Sequence, residues 1–229
     1  MIGPRFVTSA LIVLVIVAAA LAWTVVAGGS YAVAQSASLI VAIATMDEGA
    51  PPPDFDFART GQGKNGQWRV VADPTATGGR AIEQGDADRT DYRFPLAIHR
   101  SFTAKNVQAS VRFKAVAGTV DQAGGLAVRV IDSDNYYVVR ANAMEDNVRF
   151  YRVVKGKRQQ LAGADLRVEG NQWHTLGVNA EGDTFTVLFN GKALFSTTDR
   201  MFTESGKVAL WTKADSITRF GQIELKALP

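Results

Sequence analysis

Residues 124–162, GGLAVRVIDSDNYYVVRANAMEDNVRFYRVVKGKRQQLA, hold three short extended segments separated by turns, with aromatics and arginines where a plain core needs only aliphatics. Successive side chains of a strand point to opposite faces, so Leu126, Val128 and Val130 are expected on one side and Ala127, Arg129 and Ile131 on the other. The same alternation separates Tyr136, Val138 and Arg140 from Tyr137, Val139 and Ala141. Between the runs, Asp132-Ser133-Asp134-Asn135 and Asn142 to Asn147 are turn chemistry, because short Asx side chains bond their own backbone. The stretch therefore reads as sheet with a decorated face.

The pattern continues outward in both directions. Past Phe55 no apolar run has helical spacing, and extended segments recur every 8 to 15 residues with Gly, Asn or Asp between them. Val107 to Ala115 is the clearest strand: Val107, Ala109, Val111, Phe113 and Ala115 face inward, while Gln108, Ser110, Arg112 and Lys114 face outward, where they meet water or a ligand. Asn190-Gly191, between Phe185–Phe189 and Ala193–Phe195, is a strong hairpin signal, since both central residues take positive φ. Lys155-Gly156-Lys157 and Glu181-Gly182-Asp183 mark two more. Further strands are expected at 68–72, 81–84, 93–102, 173–179, 207–212 and 217–225. About a dozen strands in roughly 175 residues exceed one open sheet and suit two packed antiparallel sheets, an all-β jelly-roll sandwich.

The N-terminus has a different character. From Phe6 to Met46 there is no charged residue, and Arg5 precedes the apolar run 6–28, which is the polarity of an export signal. Ala32-Val33-Ala34 supplies small residues for cleavage after Ala34, so residues 1–34 read as a signal peptide. The run is also long enough to cross a bilayer as a retained anchor helix. Either way the domain is expected outside the cytoplasm, secreted, periplasmic or membrane-anchored, and contact with a membrane is expected only if the helix is kept. Residues 35–54, ending in DEGAPPPD, read as a proline-rich linker, because three consecutive prolines favour an extended polyproline conformation. The folded domain is then expected over 55–229.

Charge and composition exclude several function classes. Lys and Arg number 25 and Asp and Glu 22, a net charge of +3 with the signs interspersed, so no single-signed field recruits nucleic acid. The absence of cysteine removes disulfides and thiolate chemistry, and His99 and His174 are the only imidazoles. No zinc centre or other cofactor is expected. Calcium held by Asp, Asn and carbonyl oxygens is compatible with the composition, but EF-hand spacing is absent.

Residues 124–162, together with GKVALWTKADS (206–216) and QWHTLGV (172–178), resemble a bacterial family of concanavalin A-like lectin and glucanase domains. Within it the likeness is to 3-keto-disaccharide hydrolase domains, which are family 16 glycoside hydrolase-like. The match covers most of 68–225, and DNYYVVRAN and LWTKADS carry most of its specificity. The resemblance implies a jelly roll whose concave sheet faces a glycan.

The residues agree with a carbohydrate theme, since sugar recognition uses a flat aromatic for the ring and polar groups for its hydroxyls. Alternation sets Trp211 with Lys207 and Lys213, opposite Val208 and Leu210. Arg129, Tyr136, Arg140, Asn142, Trp211, Lys213 and Asp215 are therefore the expected ligand contacts. Packing and cross-strand pairing are the competing roles for the Trp and Arg side chains. His174 begins a half-buried strand and reads as structural, His99 lies on an edge, and Trp68 closes the first strand against the core.

Glycoside cleavage normally uses two carboxylates about 5 to 10 Å apart. The E-x-D-x-x-E strand of laminarinase-type relatives is missing. Asp121, before Gly124-Gly125, and Glu145, in a turn, remain as acid or base candidates, while Glu83, Asp86, Asp88 and Asp91 look like an ordinary acidic loop. Three readings stay open: an exported glycan-binding sandwich, a glycoside or 3-keto-glycoside hydrolase or lyase of the same fold, and a structural or adhesive envelope module with a protein partner.

Overall fold

The computed structural model describes residues 38–229; the expected signal peptide or anchor helix lies outside them. In chain order the strands are β1 (Ser38–Ile40), β2 (Phe55–Gly61), β3 (Trp68–Ala72), β4 (Arg80–Gln84), β5 (Arg93–Ala104), β6 (Asn106–Ala117), β7 (Ala123–Asp132) and β8 (Asn135–Asn142). They continue as β9 (Asn147–Val154), β10 (Lys157–Asp165), β11 (His174–Glu181), β12 (Thr184–Phe189), β13 (Lys192–Thr198), β14 (Gly206–Thr212) and β15 (Ile217–Leu228). An eight-stranded sheet runs β13-β12-β11-β6-β15-β4-β3, with β1 added to β15, and a seven-stranded sheet runs β10-β9-β8-β7-β14-β5-β2. Every pairing is antiparallel. The expected two-sheet all-β sandwich is what these strands build.

Alternation explains the main core. Val107, Ala109, Val111 and Phe113 of β6 meet Leu126, Val128, Tyr137, Val139 and Phe150 of the facing sheet in one inter-sheet cluster, closed at the edge by Trp68. A second apolar cluster lies on the far face of the seven-stranded sheet: Phe94, Leu96, Ala127, Tyr136, Val138, Tyr151, Ala209 and Trp211. Its burial comes from curl. The Thr60 hydroxyl of β2, at one edge, lies 2.7 Å from the Tyr136 hydroxyl of β8, and the Arg158 amide of β10 donates to the Tyr92 hydroxyl at 2.8 Å. Arg158 then lies over the rings of Phe94 and Tyr151, 4.8 and 4.4 Å from their centroids. The seven-stranded sheet thus folds its concave face onto itself.

Two expectations are corrected. Val130 leaves the Leu126 and Val128 side and joins the second cluster, because a bulge at Arg129 (φ 49°) shifts the pairing between Val128 and Asp132 and reverses the alternation. The described part of the segment expected as a linker, residues 38–54, belongs to the sandwich instead. Ser38–Ile40 pairs with Glu224–Lys226, and Val41, Ile43 and Met46 are buried in the main core. The amide of Gly49 donates to Val70 O at 2.8 Å, and that of Val70 to Ala50 O at 2.9 Å. An uncharged run that looks continuous with the leader is, from Ser38 onward, part of the sandwich and supplies Val41, Ile43 and Met46 to its core.

Candidate functional site

At one end of the seven-stranded sheet the fold gathers six of the nine expected site residues: Asp121, Arg140, Asn142, Glu145, Lys213 and Asp215. Arg140 and Asn142 lie on the same side of β8. The chain after Asn142 turns tightly because the Asn142 side-chain oxygen accepts the amides of Met144 and Glu145, at 2.9 and 3.3 Å. That turn swings Glu145 back over Arg140. The Arg140 guanidinium donates to Glu145 Oε2 at 2.7 Å, to Tyr151 Oη at 3.2 Å and to Asn147 Oδ1. Asn147 Nδ2 also donates to Glu145 Oε2, at 3.2 Å. Glu145 Oε1 has no hydrogen-bond partner among the described residues, and the side chain is 41% exposed.

Asp121 sits beneath this surface. Its carboxylate accepts from Asn142 Nδ2 at 2.8 Å and forms an ion pair with the Lys213 ammonium, without hydrogen-bond geometry at Oδ2. Asp215 holds the loop that carries it: the amides of Thr119, Val120 and Asp121 all donate to the Asp215 carboxylate, at 2.8 to 3.1 Å. Asp215 is consequently spent on backbone and is buried, which removes it as a ligand contact.

The two carboxyl groups expected as acid or base differ in electrostatic environment. Burial raises Asp121 above the ordinary carboxylate range, outweighing the adjacent Lys213 ammonium. Burial also pushes Glu145 upward, but the Arg140 charge and the bonds from Asn147 and Arg140 together outweigh it and hold this group low. The Glu145 charge adds to the upward push on Asp121, and both groups feel Arg140 and Lys213.

The remaining expected contacts lie elsewhere. Arg129, turned by its bulge, lies over Phe185 and donates to the carbonyls of Lys105, Phe202 and Gly182, fastening three loops at the far end of the sandwich. Trp211 is on the expected side of β14 but fully buried: its indole stacks on Phe94 at 5.2 Å and its Nε1 donates to Tyr136 Oη at 3.2 Å. No face of the indole is left for a sugar. Tyr136 is equally enclosed, and burial pushes its phenol up to about 12. His174 bridges Glu169 O and Asn190, and His99 accepts the Phe102 amide, so both imidazoles are engaged in the frame.

The other acidic candidates are engaged too. Glu83 pairs with Arg69 and Arg219, Asp86 and Asp88 with Arg93, and Asp91 accepts the Tyr92 amide. Among the described residues no three His, Asp or Glu side chains converge as a metal site requires. Asn147 and Tyr151 were missed in the sequence, although alternation along Asn147, Arg149 and Tyr151 opposite Arg140 was available as a signal.

No family model matches the chain, and no curated protein matches its sequence. Solved structures do. A carbohydrate-binding module, CBM66 from Bacillus subtilis, superposes with a TM-score of 0.57 at 21% identity, covering 73% of this chain and 94% of the module. A β-glucanase from Bacillus licheniformis gives 0.53 at 11% identity, covering 84% of this chain and 98% of its own. A native glycosidic hydrolase gives 0.52 at 12% identity, covering 82% and 94%. At such identities the likeness is one of fold: the chain shares a two-sheet jelly-roll sandwich with these structures.

Proposed function

We propose that this chain is an exported carbohydrate-binding β-sandwich, and that it meets a glycan at the open rim of the Arg140 cluster. The observation that carries the reading is Glu145. Both of its intramolecular bonds go to Oε2, so a preoriented carboxylate presents a free Oε1 at a half-exposed position. A carboxylate fixed by an arginine accepts sugar hydroxyls without first ordering itself, which lowers the entropic cost of binding. Lys213, partly exposed beside it, adds a donor. Fold likeness to a carbohydrate-binding module supports the class of ligand.

A glycan array with the full chain and its Glu145→Gln variant tests this. The variant is expected to bind its hit at least about tenfold more weakly. Equal binding would remove Glu145 from the site, and a chain that binds no glycan favours a protein partner in the envelope. Export is tested by sequencing the N-terminus of the mature protein, with Gln35 expected first.

One observation favours hydrolysis of a glycoside or 3-keto-glycoside as the second reading. Asp121 is pushed up and Glu145 held down within one cluster, the division of labour seen between an acid and its ionised partner. It ranks second because Asp121 lies under the surface, bound by Lys213 and Asn142. Product analysis on any glycan hit separates the two, with turnover lost in Asp121→Asn only if the chain is an enzyme.

A further inference from the structure

The outer face of the eight-stranded sheet carries a trough of about 310 Å³, near the lower end of the 300 to 1,000 Å³ usual for small-ligand sites. Its floor is where β6 and β11 run side by side, with Gln108 opposite Asn179 and Ser110 opposite Gly177. Thr175 lies toward one end, and Glu224 of β15 pairs with Ser110 on the flank.

Two features leave this surface open to a ligand. The side chains of Gln108, Ser110, Thr175 and Asn179 form no hydrogen bond with another described residue, whereas the amides of Asn142 and Asn147 are used in their cluster. Elsewhere on the same sheet Arg69, Glu83, Arg219, Asp73 and Lys114 pair with one another in an unbroken network. Gly177, moreover, answers no structural demand. Its φ is not positive, and an added Cβ would sit 3.5 Å from Ala109 O and Leu188 Cβ, an ordinary contact. The missing side chain leaves the floor open without serving the strand.

We infer that this trough is a second carbohydrate contact, one that takes a short segment of a neutral oligosaccharide. Amides and hydroxyls both donate and accept, as sugar hydroxyls do, and the charges at the rim, Glu224 and Lys226, are of opposite sign. The inference rests on the carbohydrate reading of the fold but is independent of the Glu145 site.

The test is a titration of the full-length chain, in a detergent without a sugar headgroup, with cellotetraose, laminaritetraose and maltotetraose. Binding is followed by calorimetry and by amide chemical shifts. Gly177→Val fills the floor, and the double variant Gln108→Ala with Asn179→Ala removes the amides; near-ultraviolet circular dichroism confirms that each is folded. Both are expected to weaken binding at least about tenfold, and Glu145→Gln to leave the shifts at Ser110 and Gly177 in place. Binding lost in Glu145→Gln but kept in both trough variants overturns the trough while sparing the first site. The reverse result upholds the trough, and it removes the Glu145 site as well if the ligand-induced shifts around Arg140 are absent from the wild-type chain. A wild-type chain that binds none of the three at about 10 mM overturns the trough.

Discussion

Trp211 stands on the predicted side of its strand and is nonetheless sealed from solvent, with Phe94 against its face and Tyr136 at its Nε1. Alternation assigns a side chain to a face; it does not report whether the sheet curls far enough to bury that face. The indole is therefore core. Trp211→Ala is expected to cost about 3 to 5 kcal/mol in denaturant unfolding, as large-to-small changes in packed interiors do. Trp211→Phe keeps an aromatic against Phe94 and gives up one hydrogen bond, so about 1 kcal/mol is expected, with any glycan binding unchanged. A stable Trp211→Phe variant that no longer bound sugar would mean that the indole reaches the ligand after all. Glu145 is the opposite case. Its place in a turn does not say how the side chain is held, and only the fold of that turn over Arg140 gives it a fixed orientation.

Strand positions were largely readable because period-2 alternation and turn residues both act locally. The Trp68–Ala72 strand matches its expected range, and the Asn190-Gly191 hairpin has positive φ at both residues, 50° and 78°. The bulge in β7 was not readable, because no glycine marks it and Arg129 itself adopts the left-handed conformation. What accommodates it lies about 75 residues away in the chain. Gly206 of β14 packs against the bulge so closely that an added Cβ would lie 2.5 Å from the Arg129 carbonyl carbon. Backbone cannot yield as a flexible side chain can, so Gly206→Ala is expected to cost about 2 kcal/mol or more, an overpacking penalty. Gly177→Ala, with only ordinary contacts, is the control and is expected near zero. Equal midpoints for the two in a urea titration would show that the bulge moves freely and that Arg129 is not locked in place by its neighbour.

The N-terminal boundary belongs to the molecule as a whole, because the reading that started the domain at Phe55 rested on proline content and on an apolar run shared with the leader. In the fold, that boundary cuts through the sandwich. Ser38–Ile40 covers part of one edge of β15, Val41, Ile43 and Met46 fill the main core, and residues 49–50 bond β3. Full burial of one such side chain is worth about 1.5 to 3 kcal/mol, so losing three removes roughly 5 kcal/mol or more. A domain of this size has about 5 to 15 kcal/mol in total. A chain beginning at Phe55 is therefore expected to be marginal, with a much lower urea midpoint than one beginning at Gln35, and to show backbone exchange along Glu224–Lys226. Removing an inert spacer would leave the two midpoints equal, and that result would return residues 38–54 to the role of a tether.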